Sequence, residues 1–243
     1  MKLSLLLALG AVAALAQPPV AAPKPPRTAA PIDIAGYWVS LVTEDWRFRM
    51  VTPPKGDYPG MPMNAAGKKI ADSWDPAADT AAGEACRNYG AGAIMRQPGR
   101  LHITWQDDTT LKVEADAGTQ TRLFKFGAPI ATTGEPTWQG QSTATWEFQQ
   151  GGGRGVANRR GNLKVVTTRV KMGYIHKNGV PYSANATVTE YIDLFQETDG
   201  NQYLLVKTIV NDPTYLTQEV ITSSNFKKQS DDKGWKPGAC EAQ

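Results

Sequence analysis

Apolar and polar residues alternate through residues 100–126, RLHITWQDDTTLKVEADAGTQTRLFKF, which is the pattern of half-buried β-strands. Similar runs, separated by short turn sequences, recur along the rest of the chain. The runs are DIAGYWVSLVTEDWRFRM, RLHITWQ, TTLKVEAD, TQTRLFKF, STATWEFQ, NLKVVTTRVKMGYIHK, VPYSANATVTEYIDLF, QYLLVKTIV and EVITSSNFKK. They predict eight or nine strands and an all-β fold.

Two dipeptides, Asn178-Gly179 and Asp199-Gly200, are typical of the tight type I′ turns of antiparallel hairpins. Many antiparallel strands joined by short turns predict a closed up-and-down barrel, with a sandwich as the alternative. Residues 51–98 interrupt the series with prolines, glycines and two short helical stretches. We expect a lid-like insertion of loops and short helices after the first strand, because long loops in compact domains often cover a binding site.

The first strand contains DIAGYW, with Asp33, Gly36 and Trp38. This motif resembles the first strand of lipocalin and wider calycin barrels, in which the Trp packs across the closed end. The resemblance implies a calycin-like barrel and a basic partner for Trp38 near the last strand, either Lys227 or Lys228.

A broader resemblance is to a family of exported bacterial proteins of unknown function. The stretches that carry it are EDWRFRMVTPPKGDYPG, YGAGAIMRQPGRLHITWQDDTTLK, DAGTQTRLF, GYIHKNGVPYSAN and DPTYLTQ. This resemblance implies export and a β fold, and it implies no particular activity.

Residues 1–16 predict a secretory signal peptide, with Lys2 before an apolar run and Ala14-Leu15-Ala16 at the cleavage site. The run from Leu3 to Ala16 is too short to span a membrane as a helix. Residues 17–31 are rich in proline and predict an extended tether with nothing to pack against. Residues 32–243 are then expected to form a single barrel domain. We expect a protein exported to the periplasm or beyond.

The charge is nearly balanced, with 26 basic and 23 acidic residues, and this argues against nucleic acid as a partner. The two cysteines, Cys86 and Cys240, predict a disulfide in an oxidising compartment. Two thiols and two histidines are too few to predict a metal site, and nothing indicates a cofactor.

The second face of the hairpins carries charged side chains. Pairing the strands across three-residue loops places His102, Glu114 and Arg122 in one row. Such a row could transfer protons, with His102 as acid or base, Glu114 holding the imidazole and Arg122 binding an anion. The alternative is a solvated outer face, where opposite charges stabilise the sheet slightly. That alternative is favoured if the apolar face fills the barrel.

Further polar residues are candidates for ligand binding. Arg47 and Arg49 alternate with aromatic residues, so we expect the two arginines to share one strand face. They could bind an anionic ligand or simply project into water, and the second is favoured. Three polar residues accompany the charged row and could orient a ligand: Thr104, Gln106 and Gln120. His176 lies beside a predicted hairpin turn, where we expect it to be solvated.

Three hypotheses follow for function. The leading one is an exported, monomeric, lipocalin-like barrel that binds a small amphipathic or aromatic molecule, because aromatic residues and a barrel mouth suit such ligands. The second is a cofactor-independent lyase, hydratase or isomerase that uses the His–Glu–Arg row. The third is an assembly factor of the cell envelope, which predicts a filled barrel without a pocket.

Overall fold

A computed structural model describes residues 23–149 and 160–242. The predicted signal peptide and residues 17–22 of the tether lie outside the described residues. The strands are β1 Gly36–Leu41, β2 Arg100–Trp105, β3 Thr110–Ala115, β4 Gln120–Phe126, β5 Gln141–Gln149, β6 Arg160–Thr168, β7 Gly173–His176, β8 Val180–Tyr182, β9 Thr187–Gln196, β10 Gln202–Asn211 and β11 Val220–Gln229. The helices are α1 Pro26–Ala29, α2 Trp46–Met50, α3 Ala65–Asp72 and α4 Pro76–Ala81, with 3₁₀ turns at Ala85–Tyr89, Ile94–Arg96 and Ala117–Thr119. None of the described helices is long and apolar enough to cross a membrane.

Nine strands form a closed barrel in the order β1-β11-β10-β9-β6-β5-β4-β3-β2. The predicted all-β barrel, with its helical insertion after the first strand, is therefore confirmed. Neighbouring strands are antiparallel except β4 and β5, which are parallel. A ring with an odd number of strands cannot alternate direction all the way round, so one pair of neighbours must be parallel. The expectation of a purely antiparallel meander is wrong at this pair.

The predicted long strands around Asn178-Gly179 are broken into shorter ones. β6 ends where Arg169 adopts a left-handed backbone with φ 56°. β7 and β8 then form a separate two-stranded sheet around the Asn178-Gly179 turn, before β9 returns to the barrel. The hairpin signal is confirmed, whereas the continuity of its flanking strands is not.

The apolar face of the hairpins points into the barrel. Leu101, Ile103, Leu111 and Val113 are all buried there, and they belong to one contiguous core. At the end of the barrel where β2 finishes, three aromatic rings pack together: Trp105, Phe126 and Trp146. Because the apolar face fills the barrel, the charged face of these strands points outward, as the solvated alternative requires.

The N-terminal segment covers this aromatic end of the barrel. Trp146 donates its indole N–H to the carbonyl oxygen of Pro26 at 2.8 Å. Ala30 and Ile32 pack against the barrel core. The expectation that residues 17–31 have nothing to pack against is thus wrong for the part from Pro26 onward. Its prolines start the short helix α1, a position where a missing N–H costs nothing.

The opposite end of the barrel is closed by the insertion. Its helix α4 begins as expected, because the Asp75 carboxylate accepts hydrogen bonds from the first backbone N–H groups. Residues 88–96 are buried throughout, and Tyr89, Ile94 and Met95 join the barrel core. The insertion therefore packs into the barrel end as a plug. Movement of this segment as a lid stays a prediction.

The Gly36-Tyr37-Trp38 motif has the surroundings that the calycin resemblance implies. Trp38 is fully buried and donates its indole N–H to the Ile34 carbonyl at 2.9 Å. Lys228 lies opposite Trp38 on β11, with its Nζ 5.3 Å from the ring centroid. Of the two expected basic partners, the structure selects Lys228. Gly36 has φ 121°, a conformation that strongly favours glycine.

Candidate functional site

A polar layer crosses the interior of the barrel beneath the plug. The Arg122 guanidinium donates to both carboxylate oxygens of Glu190, at 2.8 and 2.6 Å. Its Nη2 also lies 3.2 Å from the Thr167 hydroxyl, which is 2.8 Å from the Ser142 hydroxyl. These side chains come from β4, β5, β6 and β9, and all are buried. The barrel thus holds a paired charge among hydroxyl groups in its interior.

Strand alternation explains why these charges face inward. Arg122 shares its face of β4 with buried Phe124, and the guanidinium lies 4.8 Å from that ring centroid. Glu190 lies between Val188 and Ile192 on the inner face of β9. A buried carboxylate needs a charged and hydrogen-bonded partner, and Arg122 supplies both.

The structure separates Arg122 from the predicted row. His102 lies opposite Glu114, as expected. Glu114, however, lies opposite Thr121, and Arg122 lies opposite Val113. The loop between β3 and β4 is one residue longer than the assumed three. A shift of one residue moves every side chain to the other face.

A 3₁₀ turn at Ala117–Thr119 forms this longer loop, with Gly118 at φ 70° and Thr119 at φ 50°. The Gly118 carbonyl accepts a hydrogen bond from Gln120, which helps fix the turn. The three residues therefore do not form one site. Their separate roles remain predictions.

A cleft of about 250 Å³ opens where β4 and β5 separate. Their pairing begins only at Phe124 and Ser142, so the earlier residues of β4 are not paired with β5 in the described structure. We call this opening the seam cleft. Its polar lining includes Arg122, Gln139, Ser142 and Lys125, and its apolar lining includes Leu123, Ala128, Pro129 and Ala131.

Two polar atoms of the cleft lining lack a hydrogen-bond partner among the described residues. They are Nε of Arg122 and Oε1 of Gln139, and both are buried. The amide nitrogen of Gln139 is engaged, at 2.7 Å from the Tyr89 carbonyl and 2.9 Å from Gln120 Oε1. Buried polar groups in proteins are normally paired, so an unpaired donor and acceptor in one cleft suggest a ligand that would use them.

The predicted ligand-binding residues are dispersed. Gln120 joins the network of Gln139 and lies beside the seam cleft. Thr104 is on β2 opposite Lys112, and Gln106 is exposed in the loop that follows β2. The structure therefore brings only Gln120 near the buried polar layer.

His102 and Glu114 lie on the outer face of the barrel, each about a quarter exposed. His102 Nδ1 is 3.3 Å from Glu114 Oε2, and Lys112 Nζ is 2.9 Å from the same oxygen. The imidazole stacks on Tyr37 with ring centroids 4.1 Å apart, and Trp235 packs edge-on against both rings. An acid–base role for this pair remains a prediction.

The C-terminal segment covers part of this outer face. The predicted disulfide between Cys86 and Cys240 is present, with an S–S distance of 2.04 Å. Near it, Gly238 donates its N–H to the Asp116 carbonyl and accepts a hydrogen bond from the Thr119 hydroxyl. The disulfide thus fastens the tail to the segment just before the plug, and Gly238 fastens it to the turn before β4. The charged face is partly covered by protein rather than fully solvated.

Arg47 and Arg49 do not share a strand face, because the chain forms helix α2 here after β1 has ended. Arg47 is exposed and pairs with Asp57 at 2.6 Å. Arg49 is buried, where it donates to the Arg96 carbonyl at 2.9 Å and pairs with Glu44. The expected shared face is wrong, and neither arginine lines the seam cleft.

His176 is buried rather than solvated. Only 6% of the residue is exposed, although it ends β7 beside the hairpin turn. Burial, helped by the positive charge of Arg96 and opposed by Asp45, lowers the pKa of His176 to about 4. The expectation failed because the insertion packs over this hairpin, a contact that sequence spacing does not show.

Sequence reasoning missed Glu190, although a signal was present. In TVTEYIDLF, Glu190 occupies an apolar phase of the alternation between Val188 and Ile192. A charged residue at an inward-facing position of a strand indicates a buried ion pair or a binding site. No such local signal marks Gln139, because it lies in a loop.

No group of three or more His, Cys, Asp or Glu is arranged to hold a metal ion within the described ranges. Comparisons with protein-family models, curated proteins and solved structures find no match to this chain. The closed barrel is consistent with a calycin-like fold, but no family is confirmed. The resemblance to exported bacterial proteins accordingly stays a prediction.

Proposed function

We propose that the protein binds a small amphipathic or aromatic molecule outside the cytoplasm, and that the seam cleft is its binding site. The observation that carries the proposal is the pair of unpartnered buried atoms there, Nε of Arg122 and Oε1 of Gln139. One can donate a hydrogen bond and the other can accept one. Ligand pockets typically combine an apolar lining with a few such polar groups.

The lining indicates the shape and polarity of the ligand. Leu123, Ala128, Pro129 and Ala131 offer an apolar wall for a ring or a short alkyl chain. The volume of about 250 Å³ suits a molecule of one ring rather than a long lipid. The polar head of the ligand would meet Arg122 and the apolar body would lie along the wall.

The electrostatics favour a head that carries an oxygen acceptor. Glu190 already balances the charge of Arg122, so the free Nε–H can bind a neutral carbonyl as well as a carboxylate. Exposed Lys125 adds a positive charge to the lining. Lys125 attracts a carboxylate, but only an amide can both accept from the Arg122 Nε–H and donate to Gln139 Oε1, so the amide should bind more tightly than the matching carboxylate.

The location outside the cytoplasm rests on two observations. Disulfides form and persist mainly in oxidising compartments, and Cys86 and Cys240 are bonded. The N-terminal sequence has the pattern of a signal peptide. Monomeric behaviour is part of the same proposal.

Two other functions remain as alternatives. The acid–base enzyme would now depend on His102 and Glu114 without Arg122, because Arg122 faces the interior. The assembly factor is favoured by the well-filled barrel core, but it does not require a ligand in the seam cleft.

Binding can be tested by NMR on the protein without its predicted signal peptide, with benzoate, benzamide and toluene as probes. We expect benzoate and benzamide to shift the Nε–H resonance of Arg122 with millimolar affinity, which is usual for ligands of this size. Toluene lacks the acceptor oxygen and should leave that resonance in place.

A blocking variant provides the control. Ala131→Trp should fill the seam cleft and abolish the benzoate shift, whereas Ala77→Trp on exposed α4 should not. If neither benzoate nor benzamide at about 10 mM moves a resonance of the cleft lining, or if Ala131→Trp responds like wild type, the proposed binding function is wrong. The assembly hypothesis would then be favoured.

A further inference from the structure

A second cleft, of about 310 Å³, lies where α2 and residues 59–62 meet the start of β11. Its walls are the start of α2, residues 59–62 and residues 218–222, and His176 also lines it. We call residues 59–62 the strap and the cleft that they line the strap cleft. Thr217 holds the strap by donating its backbone N–H to the Pro62 carbonyl at 2.7 Å.

His176, which lines the strap cleft, carries an unused polar atom. Its Nδ1 is buried and has no hydrogen-bond partner among the described residues, while its ring stacks on Phe48 with centroids 5.5 Å apart. The depressed pKa keeps the imidazole neutral near neutral pH. A neutral imidazole has one nitrogen that can accept a hydrogen bond from a ligand N–H.

The charged groups that line the strap cleft are acidic. Asp45 and exposed Glu219 are both present, and the described lining contains no Lys or Arg. Arg96 lies behind Asp45 and pairs with it at 2.9 Å, so Glu219 leaves an unbalanced negative charge. A positive ligand is therefore favoured over a negative one.

The rest of the lining is apolar. Phe48 presents an aromatic ring, Met61 a flexible thioether, and Ile221 an aliphatic side chain that is 61% exposed. Pro59 and Pro62 add rigid apolar surface to the strap. Such walls suit a flat hydrocarbon body. The Arg47 guanidinium already lies 5.1 Å from the Phe48 ring centroid, so this ring contributes apolar surface to the cleft.

We propose that the strap cleft is a second binding site, which takes a primary ammonium group carried on an aromatic or short alkyl body. The ammonium donates to the His176 imidazole and is attracted by Glu219, and the body packs between Met61 and Ile221. The site is separate from the seam cleft, shares no lining residue with it, and does not depend on the proposed function.

The test uses phenethylamine as the probe and phenylacetate as its negatively charged counterpart. We expect phenethylamine to shift the resonances of Met61, Ile221 and the His176 imidazole with a millimolar Kd, as is usual for so small a ligand. Phenylacetate should leave these resonances unchanged. Equal binding of both probes, or no shift with about 10 mM phenethylamine, would overturn the proposal.

Surface variants test the electrostatic part without disturbing the core. Ile221→Lys places a positive charge beside the cleft and should weaken phenethylamine binding about tenfold, through like-charge repulsion. Glu219→Gln should weaken it about threefold, the effect of losing one exposed ion pair. Ile130→Lys makes the same change at an exposed residue outside the strap cleft and should have no effect. If Ile221→Lys binds like Ile130→Lys, the assignment fails.

Discussion

The same residue types have different surroundings on the inner and outer faces of the barrel. Glu190 points inward, is fully buried, and is held by both nitrogens of the Arg122 fork. Glu114 points outward, is 29% exposed, and shares one oxygen between His102 and Lys112. The two glutamates differ in burial and in geometry, so their contributions to stability should differ several-fold.

The two histidines show the same contrast. His176 lies under the insertion and remains neutral because burial disfavours its charged form. His102 lies on the outer face, where it stacks on Tyr37, meets the edge of Trp235 and contacts a carboxylate. Residue type therefore says little about role in this protein. The packing of the insertion and of the C-terminal tail decides it.

The largest expected effect comes from breaking the inner ion pair. Glu190→Gln leaves the buried Arg122 guanidinium without a counter-ion and should lower the free energy of unfolding by about 3–5 kcal/mol. Urea denaturation measures this loss. The matched outer variant, Glu114→Gln, should lose no more than about 1 kcal/mol, because its ion pairs are exposed to screening.

A double variant sharpens the result. Arg122→Met with Glu190→Leu removes both charges together and should restore most of the stability lost in Glu190→Gln, because apolar residues of similar volume often replace a buried pair. If Glu190→Gln and Glu114→Gln lower the free energy of unfolding by equally small amounts, the inner ion pair is not shielded from water. The contrast between the two faces is then wrong.

The next effect is the pH dependence caused by His176. Its folded pKa of about 4 lies below its unfolded value of about 6.5, so the unfolded chain takes up a proton first as the pH falls. The contribution to stability is complete above pH 6.5. It falls as the pH drops towards 4, by a total on the order of 3 kcal/mol.

The measurement is the unfolding free energy of wild type and His176→Phe at several pH values. Phe keeps a ring against Phe48 but cannot titrate, so the difference between the two curves isolates His176 from the carboxylates that titrate in the same range. Arg96 and Asp45 remain in both proteins. Parallel curves for the two proteins would show that His176 is not protected in the folded state.

The smallest expected effect comes from the outer histidine. His102→Ala removes the stack on Tyr37 and the contact with Glu114, at a cost of about 1 kcal/mol or less. The Tm should fall by no more than about 4 °C. Thermal unfolding followed by circular dichroism is sufficient. A much larger fall would show that the tail and the outer face form a cooperative core of their own.

The pairing of His102 with Glu114 was predictable, whereas the position of Arg122 was not. The first depends on one short loop whose length the sequence shows clearly. The second depends on a loop that includes a 3₁₀ turn with two consecutive residues at positive φ. One added residue there reverses the face of every later side chain in β4.

The sequence by itself determined the all-β class, the barrel and the insertion after the first strand, and the calycin resemblance implied the basic partner for Trp38. These follow from alternation, turn dipeptides and a short motif, all of which are local properties. The pairing of Cys86 with Cys240 followed because they are the two cysteines of the chain.

Only the tertiary structure decided which polar groups are buried. Contacts between segments far apart in sequence produce four features of the structure. These are the parallel pairing of β4 with β5, the plug of residues 88–96, the Arg122–Glu190 pair and the burial of His176. Alternation specifies that a side chain points to one face. The packing of distant segments then determines whether that face meets water, protein or a cleft.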